Sequence, residues 1–151
     1  ESIISFFISQ GKFKKAKEYF NRALDINSDS IVIWEKGIAI FEGLKYDKKA
    51  LKAYKKIYDL GDYELSNLIK HIDLHLKLRQ WKDAIKLIKD IIKDFPNNDQ
   101  LTNRMGGCCL ELGRQGEARY FLKFEFISTD ELEELQALFP SLAEFKKGEA
   151  I

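Results

Sequence analysis

The sequence has 151 residues, 25 Lys and Arg against 24 Asp and Glu, a net charge of +1 and 45% apolar side chains. A chain of this length buries about 70% of its unfolded surface on folding, so neither disulfides nor a metal is required to hold it together. Near-zero charge gives no general pull towards nucleic acid or an anionic membrane, and abundant Phe, Tyr, Ile and Leu exclude a disordered chain.

The first stretch, Ser2 to Gly11, is apolar-rich and uncharged, but it is about half of the roughly 20 residues that cross a bilayer. It opens on Glu1 without a basic leader or a small-residue cleavage site, so it does not read as a signal peptide either. Ile3, Ile4, Phe6, Phe7 and Ile8 place it instead as a short apolar helix. With no initiator Met, the chain reads as a piece of something longer.

Turn-like clusters then follow at Gln10-Gly11-Lys12, Asn27 to Ser30, Gly61-Asp62, Pro96 to Asp99 and Leu112-Gly113-Arg114. Between them the apolar spacing is helical. In Ala50 to Tyr58 the apolar residues fall at i, i+3, i+4, i+7 and i+8, with lysines opposite. No period-2 alternation competes with this. The expectation is an all-α chain of about ten helices of roughly 9 to 16 residues, joined by turns of about two to five.

Internal repetition decides the architecture. Ala16, Ala50, Ala84 and Ala118 are each 34 residues apart, and four residues after each stands a large apolar side chain, Phe20, Tyr54, Ile88 or Leu122. The turn positions Gly11, Lys45, Arg79 and Gly113 keep the same phase, as do Ser28, Asp62, Pro96 and Asp130 in the loops. A small side chain lets two helices cross closely, and the bulky one a turn later fills the wedge beside the next hairpin.

This pattern resembles the tetratricopeptide repeat family, whose unit is a 34-residue helix-turn-helix with Ala-x3-aromatic in its second helix. Trp34, Phe41, Trp81-x2-Ala84, Gly106, Gly113 and Pro96 add to the match. Gly37-Ile38 and His71-Ile72 depart from the usual Leu-Gly pair. Tyr46 stands one residue early relative to Phe13 and Trp81, which predicts a locally irregular turn there. The resemblance implies one domain over residues 1–151, a right-handed α-solenoid with repeats at about 1–30, 31–64, 65–98 and 99–132. Capping helices are expected over 130–148.

In the cap, Ser128 and Glu131 fit a capping box, so a helix is expected near Asp130. Leu132, Leu135, Leu138, Phe139, Leu142 and Phe145 then line an apolar stripe that Pro140 interrupts. Two readings stay open. The segment either covers the last repeat as a cap, or docks as an amphipathic helix into a groove, its own or a partner's.

Catalytic chemistry finds little support. His71 and His75 share a helix face, and the repeat frame sets Met105 and Cys109 in the same columns. In the family, however, these columns lie inside the hairpin, so core residues explain them better than a metal site does. Adjacent Cys108 and Cys109 make a poor disulfide and read as reduced thiols of a cytoplasmic protein. No phosphate loop and no nucleophile with an accessible base appears. Neither enzymatic activity nor a cofactor is expected, and RNA binding is disfavoured.

The resemblance also implies that first-helix residues line a concave groove. It places Ser2, Lys36, Lys70 and Arg104 in one column, with Asn103, Asp73, Lys77 and Ile69 beside it. Small residues such as Ser5, Ala39 and Gly107, one turn away, leave room for a ligand. The expected function is a protein-binding scaffold whose Lys36, Lys70 and Arg104 hold carboxylates of an acidic, partly apolar peptide or helix. Ordinary solvated charges are the competing explanation. The Lys, Asn, Asn, Lys, Arg clamp of some family members is absent, since Glu35, Ala39, Ile69 and Asp73 stand where it is wanted. A second expectation is assembly or self-association through Ile3, Phe6 and Phe7.

Overall fold

The structure is a computed structural model that describes residues 2–123 and 126–146. Those residues form nine α-helices: α1 (Ile3–Ser9), α2 (Phe13–Ile26), α3 (Ile31–Gly43), α4 (Asp47–Asp59), α5 (Leu65–Lys77), α6 (Trp81–Ile91), α7 (Asp99–Glu111), α8 (Gln115–Phe121) and α9 (Thr129–Leu138). Two 3-10 turns, Ile92–Asp94 and Pro140–Leu142, complete them. No strand occurs among the described residues. The first and last repeats are expected to include Glu1, Phe124 and Glu125, and the cap to reach residue 148. Glu1, Phe124, Glu125 and residues 147–151 lie outside the described residues.

The turn inside each hairpin has one geometry. Gly11, Lys45, Arg79 and Gly113 all take left-handed backbone, with φ of 70, 59, 58 and 76°. Each donates its N–H to the carbonyl three residues back, and the next residue reaches five back, as in Lys12 to Phe7 and Tyr46 to Phe41 at 2.9 and 2.8 Å. These are Schellman closures, which satisfy the last carbonyls of the first helix. The irregularity expected at Tyr46 is therefore absent. Its φ and ψ, −92 and 74°, match −90 and 67° at Lys12, because the backbone bonds and not the aromatic side chain set the turn.

By their contacts the helices divide into two compact units, residues 1–71 and 72–151. In the first, α1 rests on α2 through Ile4 and a stack of Phe7 on Tyr19, centroids 5.6 Å apart. Phe20 of α2 then enters α3 where Gly37 lacks a side chain; a Cβ there would lie 2.6 Å from the ring. Trp34 and Phe41 meet Phe20 edge-on at 5.5 and 5.7 Å. Tyr54 of α4 anchors on Glu42 of α3 through its hydroxyl, 2.6 Å, and stacks its ring on His71. Ser2 and Ser30 cap α1 and α3, each hydroxyl accepting a backbone N–H.

In the second unit, Ala84, Ile85, Leu87, Ile88 and Ile91 form the buried face of α6. Asn98 caps α7 by accepting from the Leu101 N–H at 3.1 Å. Residues 103 to 109 of α7 are all buried, so this helix is covered on every side, an unusual state for a segment carrying Asn and Arg. Helices α6 and α8 pack on it, and the C-terminal segment covers a further face. Helix α8 ends at Phe121, short of the length that α2 and α4 reach in their repeats, and the chain crosses to set α9 against α7.

Ser128 caps α9, accepting the Glu131 N–H at 3.2 Å as the capping box predicts. The helix stops at Leu138, just ahead of Pro140. Leu132, Leu135, Phe139 and Leu142 are buried. Gln136 donates to the carbonyls of Leu142 and Phe145 at 3.2 and 2.7 Å, folding the turn after Pro140 back onto the helix.

Candidate functional site

The candidate positions share one repeat column: residues 2, 36 and 70 in the unit of residues 1–71, and residue 104 in the unit of residues 72–151. In the unit of residues 1–71, Lys36 is half-buried and donates to the Ser2 hydroxyl at 2.8 Å, so residues 34 apart on neighbouring first helices touch. Lys70 is exposed. Ile69, expected to offer apolar contact, is instead buried at 9% exposure, because its position on α5 turns into the core.

Arg104 departs most from expectation. It is 2% exposed, and none of its carboxylate contacts is external: Nε donates to Asp73 Oδ1 at 2.6 Å, and Nη2 donates to Asp73 Oδ2 at 3.1 Å and to Glu134 Oε1 of α9 at 2.6 Å. Nη1 reaches the Gln100 carbonyl at 3.3 Å. Burial works against the charge, yet the hydrogen bonds and charges of Asp73 and Glu134 outweigh it, so the guanidinium pKa lies above its ordinary value. The expected ladder of three solvent-facing cations is thus corrected: its last member clamps α9. Asn103, also expected to face the ligand, is buried and lies 3.5 Å from Glu131 of α9.

One turn along, a Cβ at Gly107 would overlap the Phe139 ring, which is fully buried and lies 5.8 Å from Trp81 by ring centroids. A further turn along, Glu111 accepts the Ser141 N–H at 2.6 Å. Residues 104, 107 and 111 form the column face assigned to ligand, and here an acidic, apolar helix already sits on it. The C-terminal segment thus packs on the first-helix face of α7. Asp73, Leu76 and exposed Lys77 border a recess against Ala137, Leu138 and Pro140.

The remaining candidates have structural surroundings. His71 is buried against Tyr54, with rings stacked 5.7 Å apart, and His75 Nδ1 lies 2.8 Å from Gln80 Oε1. Cys108 and Cys109 are free and buried. Burial first, then the neighbouring Cys109 and Glu111, push the Cys108 thiol up to about 12, and burial with Glu117 raises Cys109. Both stay protonated near neutrality, the form that neither attacks nor ligates. No helix among the described residues is long and apolar enough to cross a membrane. At the N-terminal end Ile3 and Phe6 are exposed, whereas Phe7 is partly covered by Tyr19.

No family model and no curated protein matches the sequence. Solved structures do. The chain is similar to the crystal structure of YrrB, described as a TPR protein with an unusual peptide-binding site, at 15% identity and a TM-score of 0.61, over 91% of this chain and 66% of that one. It is also similar to PilW, described as a widely conserved type IV pilus biogenesis factor, at 14% identity and a TM-score of 0.54, over 93% of this chain and 62% of that one. The chain thus spans less than two thirds of the length of either.

Proposed function

From the tetratricopeptide-repeat fold that these hairpins form, we propose that the chain is a non-catalytic interaction scaffold that binds an acidic, partly apolar helix or peptide of a partner protein on its first-helix face. The observation that carries this reading is α9 itself. Its carboxylate at Glu134 pairs with Arg104, and its Phe139 enters the gap at Gly107, so one stretch of the first-helix face already holds a segment of the proposed chemistry. In the unit of residues 1–71 the same columns carry Lys36 and Lys70 with the small residues Ser5 and Ala39 beside them. YrrB, with its peptide-binding site, is a precedent for such use of the fold. Lys36 and Lys70 act as point charges on ligand carboxylates, each exposed pair contributing at most about 1 kcal/mol. A fixed helical face leaves most of the ordering cost to the ligand.

The test is a fluorescence-anisotropy titration of the full chain with a labelled peptide copying residues 128–146. Saturable binding is expected, weakening with salt and falling about tenfold in Lys36→Glu/Lys70→Glu. Equal binding by wild type and variant, or no binding at low salt, overturns the reading.

A further inference from the structure

We infer that a cavity in the unit of residues 72–151 binds a guanidinium group, that of an arginine side chain or of a free alkylguanidine. The inference does not depend on the function proposed above, which rests on Lys36 and Lys70 and on ligands of the opposite charge.

The cavity accompanies the short α8. In the repeat frame α2 and α4 run on to Ile26 and Asp59, the counterparts of Ser128 and Ile127, whereas α8 ends at Phe121 and α9 begins at Thr129. Here a cavity of about 500 Å³ opens beside the N-terminal half of α7, a size within the range of small-ligand sites.

Its polar lining accepts hydrogen bonds. Asp99 and Asn103 of α7 and Glu131 of α9 all border it. Asn103 points to a ligand most directly. Although 8% exposed, it spends its Nδ2 on a long 3.5 Å contact to Glu131, and its Oδ1 takes no hydrogen bond among the described residues. A buried amide oxygen ordinarily has a donor, so a ligand N–H entering the cavity completes a group that the fold leaves short.

The rest of the lining is aromatic. Tyr120 and Phe121 of α8 meet edge-on at 5.0 Å, and Phe126 follows them in the chain. Tyr120 and Phe126 are 73 and 76% exposed, so ring surface beside the cavity is open to a ligand. Charge then selects its sign. Asp99 and Glu131 stand against Lys123, the one cation among the described lining residues, which leaves the site net negative. A guanidinium uses every part of this lining at once: its flat face covers an aromatic ring, and its edge donates to a carboxylate and to the Asn103 oxygen. A compact, strongly hydrated ammonium matches the carboxylates but not the rings.

The test is an NMR titration of the full chain with a capped Gly-Arg-Gly tripeptide, its citrulline counterpart and propylguanidine. Saturable shifts are expected at the amides of Asn103, Tyr120 and Phe126 with the arginine peptide. The citrulline peptide, alike in shape but uncharged, is expected to bind about tenfold more weakly. Tyr120→Ala combined with Phe126→Ala is expected to weaken the arginine peptide about fivefold. Asp99→Asn is expected to weaken it about threefold and Lys123→Gln to tighten it about threefold. All four side chains are exposed, so these changes spare the fold. Propylguanidine binding as tightly as the tripeptide assigns the cavity to free guanidines, and tighter binding of the tripeptide assigns it to an arginine of a partner protein. Equal binding of the citrulline peptide, binding indifferent to loss of the two rings, or no saturable shift overturns the inference.

Discussion

At the scale of single residues, the clearest tension lies in the hairpin turns. Gly11 and Gly113 take left-handed backbone at no steric cost, but Lys45 and Arg79 hold φ of 59 and 58° with a Cβ present. Lys45→Gly and Arg79→Gly are each expected to stabilise the chain by up to about 1 kcal/mol, since relief of the strain exceeds the added freedom of the unfolded chain; urea midpoints check this. A second consequence concerns the buried thiols. Cys108 is held up to about 12 against an ordinary 9.0, so the folded chain keeps a proton that the unfolded chain gives up. Its contribution to stability is complete below about pH 9 and is lost as pH rises towards 12. Unfolding midpoints are expected to fall between pH 8 and 10.5, with a shallower fall in Cys108→Ala, and thiol labelling at pH 8 is expected to follow unfolding.

At the scale of elements, the decisive contact is the Arg104 clamp between α5, α7 and α9. Removing the cation empties a buried site and leaves Asp73 and Glu134 without their shared partner, so Arg104→Ala is expected to cost roughly 3 kcal/mol. Glu134→Gln is expected to cost less than about 1 kcal/mol, because that carboxylate is 51% exposed and already half solvated. Chemical denaturation of the two variants separates them. The clamp also explains why α7 mixes Asn, Arg, Met, Gly and Cys without a clean apolar stripe. A helix covered on all sides needs small residues where neighbours approach, as Gly107 admits Phe139, and a paired cation where a carboxylate arrives.

At the scale of the whole molecule, stability in repeat arrays is close to a sum of repeats and nearest-neighbour contacts. Phe139→Ala empties a fully buried aromatic site in the unit of residues 72–151, at a cost of about 3 to 5 kcal/mol. Faster amide exchange is expected first in α7 and α9, with α2 to α4 changed much less; hydrogen exchange read by mass spectrometry checks this, and uniform loss across the chain contradicts it. Balanced charge, +1 overall, also means that any ligand preference arises from local columns and not from a global field.

The helical class, the four-fold 34-residue period, the turn positions, the buried Ala-x3-large ridges and the Ser128 cap were legible in the sequence. Each depends on spacing along the chain and on which residues share a helix face, and those follow from 3.6 residues per turn. Spacing does not say what covers a face. Arg104 and Gly107 sit in the columns where exposure was expected, and nothing local to these residues says otherwise. Tertiary structure decided them, because α8 stops early and α9 folds onto α7. The acid that pairs with Arg104 lies 30 residues away at Glu134, a separation that no local periodicity encodes.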